Sequence, residues 1–303
     1  MPLEELLAER LAAIQAGVPG IDYDTPYGPG EPALLDVRDQ DIPGTHGPIG
    51  IRVYRQPTPV TGPAPALVWC HGGGFTFGDL DMPEGDQTSR AVAARTGGTV
   101  VSVDYRLVTD DANKYPIPLD DVVAAYTWAV EHADELGTEP HRIALGGASA
   151  GGNLVCGAAL RLRDVGGPLL PLLLPIYPLV HVELPTYSDE LAAKLADAPA
   201  DHVIDLPDVA SINDYFLGGA GVEHYAFAAL APDLTGFPRT VIVNAEYDSL
   251  RASGEAFAEQ LRAAGVDVRV ELVPGVLHGH LNLVGYPPAV ETFDLMAREI
   301  STL

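Results

Sequence analysis

The chain has 303 residues, 47% of them hydrophobic, and a formal net charge of −25 at pH 7. This length supports one large core but leaves one domain or two open. The negative charge argues against phosphate backbones and anionic lipid surfaces as partners. The longest apolar stretch, residues 169–177, is interrupted by prolines and is shorter than the roughly 20 residues that cross a bilayer. We therefore expect neither nucleic acid nor a membrane as a partner.

The beginning of the chain and the cysteines bear on its location. The first residues, MPLEELLAER, carry glutamates where a secretory signal would have positive charge, so the sequence predicts a cytoplasmic protein. Cys70 and Cys156 lie in apolar segments without CxxC spacing. This is typical of buried thiols and gives little support to a disulfide framework or a zinc site.

The predicted elements change in character along the chain. Leucines at helical spacing predict an amphipathic helix over 3–14, and residues 35–42 and 49–55 predict two antiparallel strands. From residue 66 onward, short apolar runs alternate with helical stretches. Strands are predicted at ALVWC, TVVSV, RIALGG, LLPLLLP, TVIVNA and VDVRVELV, and helices at 87–96, 119–136, 151–163, 253–264 and from about 288. Such alternation predicts an α/β protein with a mostly parallel eight-stranded sheet and helices on both faces.

Residues 181–235 interrupt the alternation between the sixth and seventh strands. They contain DELAAKLAD and DVASINDYFLGG, two stretches with helical character. We call residues 181–235 the insert and expect it to form a helical lid.

A serine motif lies between the run RIAL and a helical stretch. Gly147-Ala148-Ser149-Ala150-Gly151 has the form G-x-S-x-G, which places a nucleophilic serine on a sharp strand-to-helix turn. Small-residue turns between strands and helices are common, so the motif alone leaves an ordinary turn equally open.

Residues 71–74, which we call the HGGG loop, follow the strand ALVWC. A serine nucleophile needs donors for the oxyanion that forms when it attacks a carbonyl, and an HGGG-type loop supplies backbone N–H groups there together with the residue after the serine. Glycine allows the backbone to approach a substrate closely. The alternative is a phosphate-binding loop or a tight turn. Against a phosphate-binding loop, the sequence here has neither the lysine of a P-loop nor the glycine spacing of a dinucleotide-binding motif.

An acid and a base are expected in that order after late strands. Asp248 follows the predicted seventh strand, and His278 follows the eighth. Glu246 and His280 are two residues away from them, so the chemistry of these side chains leaves each choice open.

Several separate stretches together resemble the hormone-sensitive-lipase-like esterases, a branch of the α/β-hydrolase fold. They are HGGGF, DYRL, YPIPLDD, GASAGGNL, EYDSLR, HGH and the segment HYAFAALAPDLTGFPRTVIV. The resemblance implies Ser149 as nucleophile, His278 as base and Asp248 as orienting acid. It also implies oxyanion donors at Gly73, Gly74 and Ala150, and His71 as a brace of the HGGG loop.

The resemblance implies a division into a catalytic domain and a cap. Residues 46–180 and 236–303 correspond to the α/β-hydrolase domain. Residues 1–45 and the insert, 181–235, correspond to the helical cap.

The sequence departs from the family at three places. Ala148 precedes the serine where aspartate or threonine is usual, loop 108–114 is longer than usual and lacks a Pro-Glu pair, and His280 replaces a phenylalanine. Because this loop lies near the active site in the family, we expect it to influence the substrate preference.

The function implied is a carboxylic ester hydrolase that cleaves short- to medium-chain acyl esters through a serine acyl-enzyme. The partner would be a small-molecule ester, with no metal and no organic cofactor. Phe75, Phe77, Tyr105 and Tyr177 stand near strand ends that face the site. Two interpretations are equally open for them, an acyl pocket and ordinary core.

Two other function classes stay open. A ligand-binding receptor on the same fold would lack the catalytic histidine, so His278 argues against it, and an amidase or peptidase would use the same acyl-enzyme chemistry. A homodimer is compatible with the sequence, and the last strand, VDVRVELV, is the place to look for its interface.

Overall fold

A computed structural model describes residues 3–31, 34–58, 62–109 and 111–303. The parts of the predicted segments at residues 1, 2, 32, 33, 59–61 and 110 lie outside the described residues.

The described residues form one eight-stranded sheet with strand order β1-β2-β4-β3-β5-β6-β7-β8. The strands are β1 (Asp36–Ile42), β2 (Ile49–Arg55), β3 (Ala66–Cys70), β4 (Thr99–Asp104), β5 (Ile143–Ala148), β6 (Leu173–Ile176), β7 (Thr240–Tyr247) and β8 (Val268–Leu277). β2 runs antiparallel to both of its neighbours, and the other pairings are parallel. The predicted mostly parallel eight-stranded sheet is confirmed.

Helices cover both faces of this sheet. They are α1 (Glu5–Gln15), α2 (Pro83–Thr96), α3 (Ile117–Glu131), α4 (Ala150–Asp164), α5 (Asp189–Asp197), α6 (Leu206–Leu217), α7 (Arg251–Ala263) and α8 (Pro287–Ile300). Val68 of β3 packs in a cluster with α3, α4 and α7, whereas its neighbour Trp69 packs with α2 and α8 on the other face. Because successive strand residues point to opposite faces, a strand covered on both sides is a continuous apolar run, as ALVWC is.

Two predicted helices have different ends in the structure. α2 begins at Pro83 rather than at residue 87, since proline is favoured at the first helical position and Glu84 and Asp86 suit the first turn. α3 ends at Glu131 rather than at residue 136. At this end the side chain of the next residue, His132, donates a hydrogen bond to the Trp128 carbonyl at 2.8 Å. Single residues at the helix ends, a proline and acidic side chains in α2 and a histidine in α3, thus fit these bounds, and apolar periodicity does not report them.

The insert contains α5 and α6 at the two stretches predicted to be helical. Several polar contacts join it to the segment that ends β7 and begins α7. Lys194 pairs with Glu246 at 2.9 Å and Glu190 with Arg251 at 2.8 Å, and the Ser249 hydroxyl donates to the insert at the Ile204 carbonyl, 2.6 Å away.

The N-terminal segment also contacts the insert: the ring of Tyr23 stacks on that of His202, with ring centroids 4.3 Å apart. Among the described residues, no helix has the length and apolar character needed to cross a membrane.

Candidate active site

Ser149 lies at the sharp turn between β5 and α4. Its backbone has φ 53° and ψ −116°, a left-handed φ that is uncommon for a residue with a side chain. The Ser149 amide donates to the Ile176 carbonyl at 2.9 Å, which ties the turn to β6. A Cβ on Gly151 would overlap the carbonyls of Cys70 and His71. This close approach explains why small residues surround the serine.

His278 lies between Ser149 and Asp248. Its Nε2 is 2.9 Å from Ser149 Oγ, and its Nδ1 is 2.7 Å from Asp248 Oδ2. Asp248 is buried, and its other oxygen accepts a hydrogen bond from the Leu250 amide at 2.9 Å. Because the three residues follow β5, β7 and β8, the parallel strands bring them together at the carboxyl edge of the sheet.

The surroundings of His278 determine which protonation state is favoured. Burial disfavours the imidazolium, but the charge and hydrogen bond of Asp248 outweigh it, and the charge of Glu84 acts in the same direction. The pKa of His278 is therefore raised above its ordinary value. With Nδ1–H directed at Asp248, the neutral ring offers Nε2 as an acceptor to the Ser149 hydroxyl.

Glu246, the other acid candidate, makes contacts away from His278. Its carboxylate accepts a hydrogen bond from the Gly275 amide at 2.7 Å and pairs with Lys194 at 2.9 Å. In this structure Glu246 therefore joins β8 and the insert to β7, and Asp248 is the acid that contacts the imidazole.

His280, the other base candidate, is fully buried. Its Nε2 lies 3.1 Å from Thr292 Oγ1, and its ring stands edge-on to Tyr177 with centroids 5.3 Å apart. Burial, with a smaller effect from His278, lowers the pKa of His280 to about 3. It is a neutral residue of the core beside the site.

The HGGG loop lies next to Ser149. Gly73 has φ 112° and Gly74 has φ 56°, conformations that favour glycine. In the ranges that the structure describes, the amides of Gly73, Gly74 and Ala150 donate no hydrogen bond, and all three residues line the cavity above Ser149. These amides are available as donors to a negatively charged oxygen.

His71 and Tyr105 support the HGGG loop from beneath. The His71 side chain donates from Nδ1 to the Gly72 carbonyl at 2.7 Å, and its ring stacks on Tyr105 with centroids 4.6 Å apart. The Tyr105 hydroxyl donates to the His71 carbonyl at 2.9 Å. These contacts fit the bracing role that the resemblance implies for His71.

A cavity of about 270 Å³ lies over the serine. Its reactive floor contains Ser149, Ala150, His278 and the three glycines of the HGGG loop. Apolar side chains form much of the remaining wall, and several of them come from the insert. These wall residues include Phe77, Met82, Leu179, Ile204, Val209, Ile212 and Leu250.

The four aromatic candidates separate into two groups. Phe77 lines the cavity and is 61% exposed. Phe75, Tyr105 and Tyr177 are buried and do not line it, and Phe75 stacks on Phe216 with centroids 4.0 Å apart. The pocket interpretation therefore fits Phe77, and the core interpretation fits the other three.

The two other departures from the family pattern are Ala148 and loop 108–114. Ala148, the last residue of β5, is fully buried. At the start of loop 108–114, the Val108 amide donates to the Phe75 carbonyl at 2.8 Å, which connects this loop to the segment after the HGGG loop.

Sequence reasoning missed several polar residues of the cavity, among them Glu84 and Asn282. Glu84 lies in the first turn of α2, where acidic residues are common because they suit the helix dipole. Asn282 is four residues beyond His278 and belongs to no motif. No pattern in a single sequence distinguishes these residues from exposed polar ones.

Residues 67–282 match the model of a family described as the alpha/beta hydrolase fold. The chain belongs to this family. Esterase LipI of Mycobacterium tuberculosis is 38% identical to it over 273 residues, which cover 88% of this chain and 81% of the relative.

Two further proteins are similar to the chain over most of their length. Carboxylesterase NlhH of Mycobacterium tuberculosis is 39% identical over 248 residues, covering 80% of this chain and 74% of the relative. The solved structure of a hyperthermophilic esterase from Pyrobaculum calidifontis has a TM-score of 0.81 at 30% identity and covers 100% of this chain and 99% of that one. The resemblance of this α/β hydrolase to the hormone-sensitive-lipase-like esterases is confirmed.

Proposed function

We propose that the chain is a carboxylic ester hydrolase that acts through a covalent acyl-enzyme on Ser149. One observation carries the proposal: His278 contacts Ser149 Oγ through Nε2 at 2.9 Å and Asp248 through Nδ1 at 2.7 Å. This is the geometry in which an imidazole takes the proton of a serine hydroxyl. Relatives named esterases and carboxylesterases support the reaction class.

The proposed reaction has two halves. His278 removes the proton of Ser149 as Oγ attacks the ester carbonyl, and Asp248 holds the imidazolium that forms. The amides of Gly73, Gly74 and Ala150 stabilise the oxyanion. The imidazolium then gives its proton to the leaving alcohol, and a water activated by the same imidazole releases the acid and restores Ser149.

We further propose short- to medium-chain acyl esters as substrates. The cavity of about 270 Å³ is at the lower limit of ordinary small-molecule pockets. Its wall is largely apolar, which suits an alkyl chain. A large, aggregated lipid would not fit into this volume.

The cap is also part of the proposal. We assign residues 1–45 and the insert to a cap over the catalytic domain of residues 46–180 and 236–303. Support comes from the insert residues in the cavity wall and from the contact between Tyr23 and His202.

Hydrolysis of p-nitrophenyl esters from acetate to palmitate, beside the Ser149→Ala variant, tests the function. We expect activity that is highest with short acyl chains and that falls by about 10⁴ to 10⁶ in kcat in the variant. Activity that survives the substitution would exclude Ser149 as nucleophile. Ligand binding without turnover would favour the receptor class, and equal rates on a matched anilide would favour an amidase.

The cytoplasmic location and the homodimer stay predictions. Cell fractionation tests the first and sedimentation analysis the second. A dimer through the last strand would be disrupted by a charged residue at Leu272, which is exposed on β8.

A further inference from the structure

Glu84 is a buried carboxylate at the edge of the cavity, and the reaction above gives it no role. It is 1% exposed and lies in the first turn of α2. Its Oε2 accepts a hydrogen bond from the Gly72 amide at 2.5 Å, and its Oε1 accepts one from the Tyr177 hydroxyl at 2.6 Å. Asn282 Nδ2 is a longer third donor at 3.4 Å, and Asn282 Oδ1 accepts from the Glu84 amide at 3.1 Å.

These donors belong to three separate parts of the site. Gly72 is in the HGGG loop, Tyr177 follows β6, and Asn282 lies in the segment that carries His278. Glu84 therefore connects the loop that offers the oxyanion donors with the segment that offers the base.

Glu84 is also close to the reacting groups. A Cβ built on Gly72 would lie 2.7 Å from Glu84 Oε2 and 3.1 Å from Ser149 Cβ, so Gly72 separates the carboxylate from the serine. The ring of Tyr177, whose hydroxyl is bound to Glu84, stands edge-on to His278 with centroids 4.9 Å apart.

The charge of Glu84 has a direct consequence for His278. A buried carboxylate is costly unless its oxygens are hydrogen-bonded. Within the described ranges its partners are hydrogen-bond donors without charge, so its negative charge acts on its surroundings without a cation beside it. Burial acts to lower the pKa of His278, and the charge and hydrogen bond of Asp248 act to raise it. The charge of Glu84 adds a smaller effect in the same direction as Asp248, so that the pKa is raised.

We propose that Glu84 is a positioning residue with two effects. Its hydrogen bond to Gly72 fixes the HGGG loop, and its charge acts with Asp248 to stabilise the imidazolium that forms as Ser149 attacks. The inference rests on the proposed esterase reaction.

Two substitutions separate these effects. Glu84→Gln keeps the size and removes the charge, whereas Glu84→Asp keeps the charge and withdraws it by one methylene from the Gly72 amide. Glu299→Gln is the matched control, because Glu299 is also a buried glutamate but is bound by Arg239 and Arg269, away from the cavity lining.

The measurements are kcat and KM for p-nitrophenyl acetate, the thermal midpoint, and NMR titration of His278 in histidine-labelled protein, assigned with a His278→Asn variant. For Glu84→Gln we expect kcat to fall about tenfold or more, because the imidazolium that forms in the transition state loses a charge that stabilises it, and we expect the titration midpoint of His278 to fall. For Glu84→Asp we expect a lower kcat and a midpoint near that of the wild type. The Glu299→Gln control leaves kcat and the midpoint unchanged.

A folded Glu84→Gln variant with kcat within twofold of wild type and an unmoved His278 midpoint overturns the proposal, as does a change in thermal midpoint alone. If Glu84→Gln does not fold, Glu84→Asp decides, and a kcat within twofold of wild type overturns the loop role. A wild-type protein that hydrolyses no ester, with a midpoint that still moves in Glu84→Gln, refutes the proposed function but supports the charge effect.

Discussion

Lys194 of the insert and Glu246 at the end of β7 form an ion pair of 2.9 Å, two residues before the acid that contacts His278. Because successive residues of a strand point to alternate sides, Glu246 and Asp248 would point to the same side if the strand continued. β7 ends at Tyr247, however, and Asp248 contacts the imidazole. Two acids that are two residues apart therefore make different contacts, Glu246 with the insert and Asp248 with the imidazole of His278.

Asp248→Asn and Glu246→Gln should separate these tasks. We expect Asp248→Asn to lower kcat by about 10⁴, because an amide in this position does not hold the productive tautomer of His278. Glu246→Gln should change kcat by only a few fold, while lowering the thermal midpoint through loss of the ion pair. Steady-state kinetics and thermal unfolding of both variants give the comparison. The reverse order of the two kcat losses would make Glu246 the acid.

The rate should depend on pH through His278. The neutral imidazole accepts the serine proton, so kcat/KM should rise as pH increases through the pKa of His278. Because the Asp248 carboxylate raises that pKa despite burial, the midpoint should lie above the ordinary value of about 6.5. Measurement of kcat/KM from pH 5 to 9 checks this, and a profile that is flat between pH 5 and 8 is incompatible with His278 as the base.

Gly151 should tolerate no larger residue. In Gly151→Ala the new methyl group would overlap the carbonyl groups of Cys70 and His71. These are backbone atoms, which cannot move aside as easily as a flexible side chain. We expect a loss of about 1–3 kcal/mol or more in the free energy of unfolding, measured by urea denaturation. Gly221→Ala is the control, since nothing lies within 4 Å of its added Cβ, and it should stay within about 0.5 kcal/mol. Equal effects of the two changes would show that the turn has more room than the structure gives it.

Ile212 should limit the length of the acyl chain. It lines the cavity from α6 and lies against Gly74 of the HGGG loop, with side-chain atoms 3.8 to 3.9 Å from a Cβ built there. Ile212→Trp should reduce the ratio of octanoate to acetate hydrolysis, in kcat/KM, by about tenfold or more, because a filled pocket rejects added methylenes.

Val222→Trp provides the control for this change. Val222 belongs to the insert but is exposed and outside the cavity lining, so the ratio should not change. An unaltered ratio in Ile212→Trp would place the acyl chain elsewhere.

Much of the fold could be predicted because its strands are buried on both faces and therefore read as short apolar runs. ALVWC and TVIVNA lie in β3 and β7. The positions of Ser149, Asp248 and His278 just after strands could be predicted for the same reason. Proximity to a strand end does not tell whether a side chain faces the cavity or the core beneath it, so Phe77 could not be distinguished from Phe75.

Glu84 shows a different limit of sequence reasoning. Its partners are the backbone of Gly72 and the side chains of Tyr177 and Asn282, which are 93 and 198 residues away along the chain. Hydrogen bonds over such separations depend on tertiary packing, and a single sequence has no periodicity that reports them.

The cavity takes its reactive floor from loops at the edge of the sheet and part of its apolar wall from the insert, including Ile204, Val209 and Ile212. Under the proposed function, bond cleavage and acyl-chain selection are consequently encoded in different stretches of the gene. A mutant library restricted to residues 204–212 would vary the substrate range while leaving the reacting groups constant. The insert is thus the natural target for engineering new selectivity into this scaffold.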